Sequence, residues 1–332
     1  MYDESLEISL YDGYVMYDVV AIGELLIDFT PVKCNNVQNP MFEQNPGGAP
    51  ANVLAMHSKL GGKTAFIGKV GHDKFGYFLK SVIEESNIDS KGLVMAKDVH
   101  TTLAFVHLSE QGERSFSFYR KPGADMMLTK EEINKDLIEN CKVFHFGSVS
   151  LTDEPCKSAT IDAVIYAKDN DRIISYDPNY RPALWKDSSV AKEEILKIMP
   201  LADIVKISEE EMEFLFDETD VEKCVKFIKN MGASLVLISM GDKGSYYSNE
   251  KGSGFIDAFK MNSIDTTGAG DAFLGAILYR LRCKTLKEIK TMKKDELDDI
   301  LLFANAAGGI TTTKKGAIPA MPNEETIRNI IK

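Results

Sequence analysis

Positive charge is what this chain is short of. Its 39 Lys and Arg stand against 50 Asp and Glu, a formal net charge of −11, and its pI is about 5.1. An acidic chain is a poor partner for nucleic acid or an anionic membrane. Any phosphate it binds must therefore be held by local features rather than by a global field. Long apolar runs are missing too: nothing approaches the roughly 18 uninterrupted apolar residues of a membrane-spanning helix. Cysteine is sparse. Cys34, Cys141, Cys156, Cys224 and Cys283 are odd in number and widely spaced, with no C-x-x-C. That pattern argues against a disulfide framework or a zinc site and predicts a reducing, cytoplasmic setting. The five histidines form no H-E-x-x-H, so each reads as a surface or core residue. Neither G-x-x-x-x-G-K-[ST] nor G-x-G-x-x-G occurs, which gives no support to a P-loop NTPase or a dinucleotide-binding Rossmann protein. Residues 1–16 carry Asp3, Glu4, Glu7 and Asp12 and lack the basic start and apolar core of a secretory signal. They read as a short acidic extension. Internal repeats and low-complexity tracts are absent.

What is present is apolar periodicity. With 332 residues, 44% of them hydrophobic, the chain can bury one large α/β core. Strands are predicted at 18–22, 64–68, 143–146, 173–176, 204–207 and 235–239. Helices are predicted at 53–60, 76–85, 158–168, 191–198, 208–216 and 222–231. Continuous apolar strands alternating with helices imply an α/β fold: a mostly parallel sheet with helices on both faces. Two segments break the rhythm. Residues 29–45 are extended and polar. Residues 101–127 read as a hairpin, with arms at 102–108 and 115–119 and a turn at Glu110-Gln111-Gly112-Glu113. A small β element of this kind would suit a lid over a pocket.

The most telling stretch is Asp265-Thr266-Thr267-Gly268-Ala269-Gly270-Asp271, just before the apolar run 272–278. Small residues leading into a helix present backbone N–H groups without intrahelical partners, and the helix dipole adds positive charge at that end. Phosphate or a developing anion can bind there. Asp271 places a carboxylate beside that cradle, which suits phosphoryl transfer onto a hydroxyl. In the first turn of a helix its pKa is expected to be lowered. A Gly-rich turn with Asp as an N-terminal helix residue accounts for the same seven residues.

Other segments have the same double reading. Asp28 follows an apolar run, as ligand groups do at strand ends of α/β sheets, or is a loop acid. Gly47 and Gly48 allow close backbone approach and Asn52 can meet a hydroxyl, or the segment simply starts a helix. Arg181, in Asp177-Pro178-Asn179-Tyr180-Arg181, offers a planar fork to a phosphate or carboxylate, or is an exposed turn residue. Ser208 and Glu211 form a capping box, which suffices for Glu211 without a metal. Gly241-Asp242-Lys243-Gly244 reads as a hairpin turn or a nucleotide contact. The small-residue helix around Asn305 packs tightly or offers a flat wall to an adenine ring.

Together these pieces resemble the PfkB, or ribokinase-like, carbohydrate kinases, from about Tyr17 to the C-terminus. The specific markers are 265–271, Gly47-Gly48 and the run from Gly68 to Gly76. Within the family the fructokinases look nearest, through Gly112-Glu113-Arg114, the segment 119–126, the segment 205–211 and the segment 303–318. The resemblance implies a three-layer α/β/α domain at 17–332 with a β lid formed by about 29–45 and 101–127. It implies ATP, Mg²⁺ and activation by K⁺. Carried over by position, Asp271 is the catalytic base, with Gly268, Ala269 and Gly270 as the anion hole. Asp28, Gly47, Gly48 and Asn52 contact the sugar, with Arg120 and Arg181 nearby. Lys206, Ser208, Gly241, Gly244 and Asn305 lie along the nucleotide. Glu211 reaches Mg²⁺ through water, and Asp265 and Thr267 hold K⁺. The family's usual Asn-x-x-Glu is Ser208-x-x-Glu211 here. Lids in the family often pair two subunits, so a homodimer through the lid is an expectation. The expected activity is phosphorylation of D-fructose at O6. 2-Keto-3-deoxygluconate kinase is the alternative, and a non-catalytic sugar-binding regulator a further one, which the intact Asp271 and glycine cradle count against.

Overall fold

A computed structural model of the chain describes residues 16–32, 41–108 and 114–332. The expected acidic extension, Cys34 and the turn at 110–113 lie outside the described residues. The strands are β1 (Tyr17–Ile22), β2 (Leu26–Val32), β3 (Met41–Gly47), β4 (Thr64–Gly71), β5 (Ile88–Ala96), β6 (Leu103–Leu108), β7 (Arg114–Tyr119), β8 (Cys141–Gly147), β9 (Ile173–Asp177), β10 (Ile204–Ser208), β11 (Leu235–Ser239), β12 (Gly244–Asn249) and β13 (Gly252–Asp257). The helices are α1 (Ala49–Lys59), α2 (Lys74–Glu85), α3 (Lys135–Glu139), α4 (Cys156–Asp169), α5 (Ser188–Ile198), α6 (Glu209–Phe216), α7 (Val221–Asn230), α8 (Ala269–Leu281), α9 (Leu286–Lys290), α10 (Lys294–Thr311) and α11 (Glu324–Ile331).

Nine strands make the main sheet, in the order β13-β12-β11-β10-β9-β8-β1-β4-β5. Pairing is parallel from β11 through β5, and the β11–β12 and β12–β13 pairs at one edge are antiparallel. The central strands are apolar on both faces because both faces are covered. In β1, Val19 and Ala21 enter the core under α1, α8 and α10, while Val20 and Ile22 enter the core under α4, α5 and α7. All four are fully buried. Strands of this composition belong in a parallel sheet between helical layers.

The second sheet has four strands, in the order β3-β2-β6-β7. β2 pairs with β3 antiparallel and with β6 parallel, and β6 pairs with β7 antiparallel. Residues 29–45 are thus not simply extended: their two ends are paired strands. Phe29 and Phe105 stack at 4.8 Å on this sheet, and Phe42 and Tyr119 meet Phe105 edge-on.

The roots of β6 and β7 are fastened to the main body by buried polar groups. Arg120 Nε donates to Asp125 Oδ2 at 2.7 Å, Nη1 to Thr152 Oγ1 at 2.9 Å and Nη2 to the Val149 carbonyl at 3.1 Å. Thr102 Oγ1 donates to the other Asp125 oxygen. Next to it, Thr101 donates N–H and Oγ1 to Asp73, at 2.9 and 2.8 Å. A buried ion pair with its donors and acceptors filled is hard to break one partner at a time.

Candidate active site

Between the two sheets runs a cleft of about 1540 Å³. Its floor is built where α8 begins. Gly268 takes φ 77°, a left-handed conformation that glycine adopts without strain. A Cβ there would stand 2.5 Å from the Ala317 Cβ. The chain then enters α8, and Asp271 falls in its first turn, 5% exposed. Both carboxylate oxygens are held. Asn52 Nδ2 donates to Oδ2 at 2.8 Å, and Asn179 Nδ2 donates to Oδ1 at 3.1 Å. A carboxylate can only accept, so both amides must turn their NH₂ groups to it. Their own carbonyl oxygens, Asn52 Oδ1 and Asn179 Oδ1, are buried without a hydrogen-bond partner.

Here one expectation is corrected. The Asp271 pKa is raised, not lowered: burial dominates, and the Asn52 bond, the Lys206 and Arg181 charges and the Asn179 bond only offset part of it. A helix dipole acts on an exposed acid. Desolvation acts on a buried one, and here it is the larger effect.

Next to Asp271 lies a buried ion pair. Lys206, on β10, donates Nζ to Asp177 Oδ2, at the end of β9, at 2.9 Å. Burial alone would push the Lys206 pKa down, but Asp177, Glu211 and Asp271 outweigh it and hold the ammonium charged. The carboxyl groups of both are raised, Asp177 by burial and by the Asp271 charge and Glu211 by burial and by the Asp177 charge, with Lys206 opposing in each case. A Cβ on Gly270 would lie 3.2 Å from Lys206 Nζ. The first turn of α8 thus has a buried cation directly behind it.

Glu211 completes the capping box of α6 by accepting the Ser208 N–H at 2.8 Å, and Ser208 Oγ accepts the Glu211 N–H at 3.2 Å. Its other oxygen accepts the Tyr180 N–H at 2.6 Å. Asp265 Oδ1 accepts the N–H and Oγ1 of Thr267, at 3.0 and 2.7 Å, and Oδ2 accepts the Gly316 N–H at 3.0 Å. That joins the loop before α8 to the loop after α10. Among the described residues no group of three or more His, Cys, Asp or Glu is arranged to hold a metal ion.

Asp28 reaches the cleft from the opposite side. It sits within β2 of the small sheet, not at a strand end of the main sheet. A Cβ on Gly47 would collide with its carboxylate, so Gly47 makes room for it. Burial pushes the Asp28 pKa up to about 6, with Arg181 lowering it and Asp265 raising it. Gly48, Asn52 and Arg181 line the cleft, as do Lys206, Ser208, Gly241, Gly244 and Asn305. Gly241 opens a short 3-10 turn rather than a two-residue hairpin. Asn305 Nδ2 donates to the Ile256 carbonyl at 2.9 Å, while its Oδ1 accepts Ser245 Oγ at 2.8 Å.

Arg120 is not on the cleft wall. Its guanidinium is committed to Asp125, Thr152 and Val149, so its place is the root of the small sheet. Conversely, Asn179 is a site residue that no motif in the sequence singles out. Its signal was present: an Asn after Pro178 can take a left-handed turn, and Asn179 has φ 48°.

No helix among the described residues is long and apolar enough to cross a membrane. The profile of the pfkB family carbohydrate kinases matches residues 16–324. Fructokinase-1 of Zea mays is 45% identical over 317 residues, covering 95% of this chain and 97% of that protein. The crystal structure of a fructokinase from Xylella fastidiosa with bound ATP superposes with a TM-score of 0.88 at 31% identity, covering 95% of this chain and 98% of that one. A fructokinase from Vibrio cholerae O395 with fructose, ADP and calcium ion bound gives 0.84 at 31% identity, covering 95% and 99%. The raised, amide-held carboxylate at the start of α8, the buried lysine behind it and the match along nearly the whole length agree: this chain belongs to the pfkB family of carbohydrate kinases.

Proposed function

We propose that this protein is an ATP-dependent fructokinase that transfers a phosphoryl group to O6 of D-fructose. The observation that carries the reading is Asp271, buried at the cleft floor between two amide donors and at the first turn of α8. Phosphoryl transfer needs positioning and charge neutralisation more than covalent help. Asp28 and Asn52 hold the sugar hydroxyls, and Asp271 accepts the proton of the attacking hydroxyl. The N–H groups at the start of α8 and the Lys206 ammonium receive charge on the transferred group. The nucleotide extends past Ser208 toward Gly241, Gly244 and Asn305. The small sheet closes over the sugar and excludes water.

Mg²⁺ usually keeps several waters and binds through substrate phosphates and one or two carboxylates. Glu211 fits that mode, because each of its oxygens already takes one backbone N–H and keeps a lone pair for a water. When bound, the ion would neutralise phosphate charge. Asp265 and Thr267 supply the hard oxygens a K⁺ ion would take. The working compartment is the cytoplasm. Phe42 and Tyr119 stand exposed on the face of the small sheet that carries Phe105, and that is the face through which two copies pair, which the mass in solution by light scattering tests.

The activity test is ADP release with fructose, run with and without Mg²⁺ and K⁺, beside 2-keto-3-deoxygluconate. Fructose should be preferred in kcat/KM. Arg181 would pair with the carboxylate of the acid sugar, and a preference for that sugar of about tenfold, some 1.4 kcal/mol in transition-state binding, would reverse the choice. Asp28→Ala should lower kcat/KM for fructose about tenfold to a hundredfold, the worth of a hydrogen bond to a charged group.

A further inference from the structure

Glu24 is a buried acid to which neither the fold nor the reaction described so far gives a task. It lies in the connection between β1 and β2, 5% exposed. Its Oε1 accepts the Ala49 N–H at 2.9 Å, and its Oε2 is buried with no hydrogen-bond partner.

The bond to Ala49 matters because α1 has no cap of its own. Its N-cap residue is Gly48, at φ 124°, with no side chain to offer, and Pro50 follows in the first turn. Proline has no N–H to satisfy. Glu24 therefore supplies from another part of the chain the acceptor that a Ser or Asp usually supplies locally. Its carboxylate also faces the positive end of the helix. The two backbones are in contact as well: a Cβ on Gly48 would collide with the Glu24 carbonyl. One turn into the same helix, Asn52 donates its backbone N–H to the Gly48 carbonyl at 3.0 Å and its side-chain amide to Asp271. Only Pro50 and Ala51 thus separate the Glu24 bond at Ala49 from Asn52, which holds Asp271.

We propose that Glu24 is a positioning residue for phosphoryl transfer, fixing the first turn of α1 so that the Asn52 amide meets Asp271. The inference rests on the kinase reading above. The groups that face Glu24 are Arg120 and Asp125, from the root of the small sheet, and Cys156, from α4. Burial, with Asp125 adding to it and Arg120 and the Ala49 N–H opposing it, pushes the Glu24 pKa up to about 7. The ionised form makes the stronger, charge-assisted cap. The hold on Asn52 therefore tightens as pH rises through neutrality and slackens as pH falls below it.

The test uses the full chain in three forms, natural, Glu24→Ala and Glu24→Gln, with two readouts. The first is kcat against pH at saturating fructose and MgATP. The second is amide hydrogen exchange of α1. Glu24→Ala should lower kcat on the order of tenfold to a hundredfold, as misplacement of a reacting group does, with KM for ATP unchanged, and should speed exchange in the first turn of α1. Glu24→Gln keeps an acceptor for Ala49 but cannot ionise. It should restore the exchange protection and lose the kcat inflection near neutrality, running at the level the natural protein shows below it. A kcat profile across neutrality that is the same in Glu24→Gln as in the natural protein overturns the proposal. So does unaltered kcat in a Glu24→Ala protein whose α1 exchanges faster, which would leave Glu24 a cap and nothing more. If the Ala variant does not fold, the Gln variant alone decides. Absence of turnover on fructose by the natural protein would defeat the kinase reading instead, and the exchange comparison would still report whether Glu24 holds α1.

Discussion

Asp271→Asn should fold, bind nucleotide and lose about 10²–10⁴-fold in kcat, the range for removal of a general base. The fold should survive because the site can repair its hydrogen bonds. Asp271 accepts from Asn52 and Asn179, whose own carbonyl oxygens are unpartnered. An amide at position 271 has an NH₂ group that would face another NH₂, and a flip of one partner amide presents the idle carbonyl instead. Shape and hydrogen bonding are thus kept while the acceptor of the substrate proton is removed. The pH profile gives a second reading of the same group. Because burial raises the Asp271 pKa, the base protonates at a higher pH than an exposed aspartate would. The acid limb of kcat/KM in the natural protein should therefore lie above the ordinary aspartate value of about 3.9. A raised pKa also brings the base closer to its operating pH, which favours proton transfer. Near-normal kcat in a folded Asp271→Asn protein would end the assignment of Asp271 as the base.

The central sheet was legible because its strands have no choice of environment. A run such as Leu235-Val236-Leu237-Ile238 is apolar at every position, and the structure buries it on both faces. The small sheet was half legible. β6 is a nearly continuous apolar run and β7 alternates Ser with Phe, but β2 and β3 read Leu-Ile-Asp-Phe-Thr-Pro-Val and Met-Phe-Glu-Gln-Asn-Pro-Gly. Such strands turn polar groups to a cleft, and periodicity sees only a polar, Pro-containing stretch. The start of α1 was missed for a similar reason. Its first residues are Ala49 and Pro50 after a glycine, and the acid that caps it comes from 25 residues away. In the site, residue types were legible and their environment was not. The carboxylate at 271, the glycines and the lysine could be named from the motif. That Asp271 is desolvated, that Asn179 shares it with Asn52, and that Arg120 is spent on Asp125 are facts of tertiary packing, which no local pattern contains.

Gly270→Val should lower kcat by about 10²-fold or more, the scale on which one donor of an oxyanion hole is worth, while KM for the sugar changes little. The argument is one of space behind the first turn of α8. A single Cβ at this position already stands 3.2 Å from Lys206 Nζ and 3.9 Å from Cε. Valine adds two more carbons with one favoured rotamer in a helix. An exposed lysine would swing aside, but Lys206 is buried and tied to Asp177 at 2.9 Å. Either the ammonium leaves its carboxylate or the start of α8 tilts away from β10. Both outcomes move positive charge relative to the transferred phosphoryl group, and that charge matters most in the transition state. The sugar is affected less, since Asp28 approaches from the other sheet. Gly270→Ala should fall between the two proteins, because its one carbon only presses on the lysine. The measurement is kcat and KM for fructose and ATP on all three proteins, with thermal unfolding alongside. A Gly270→Val protein that loses sugar affinity at unchanged kcat would make Gly270 a packing residue, and the cradle would then have to be sought elsewhere along the loop.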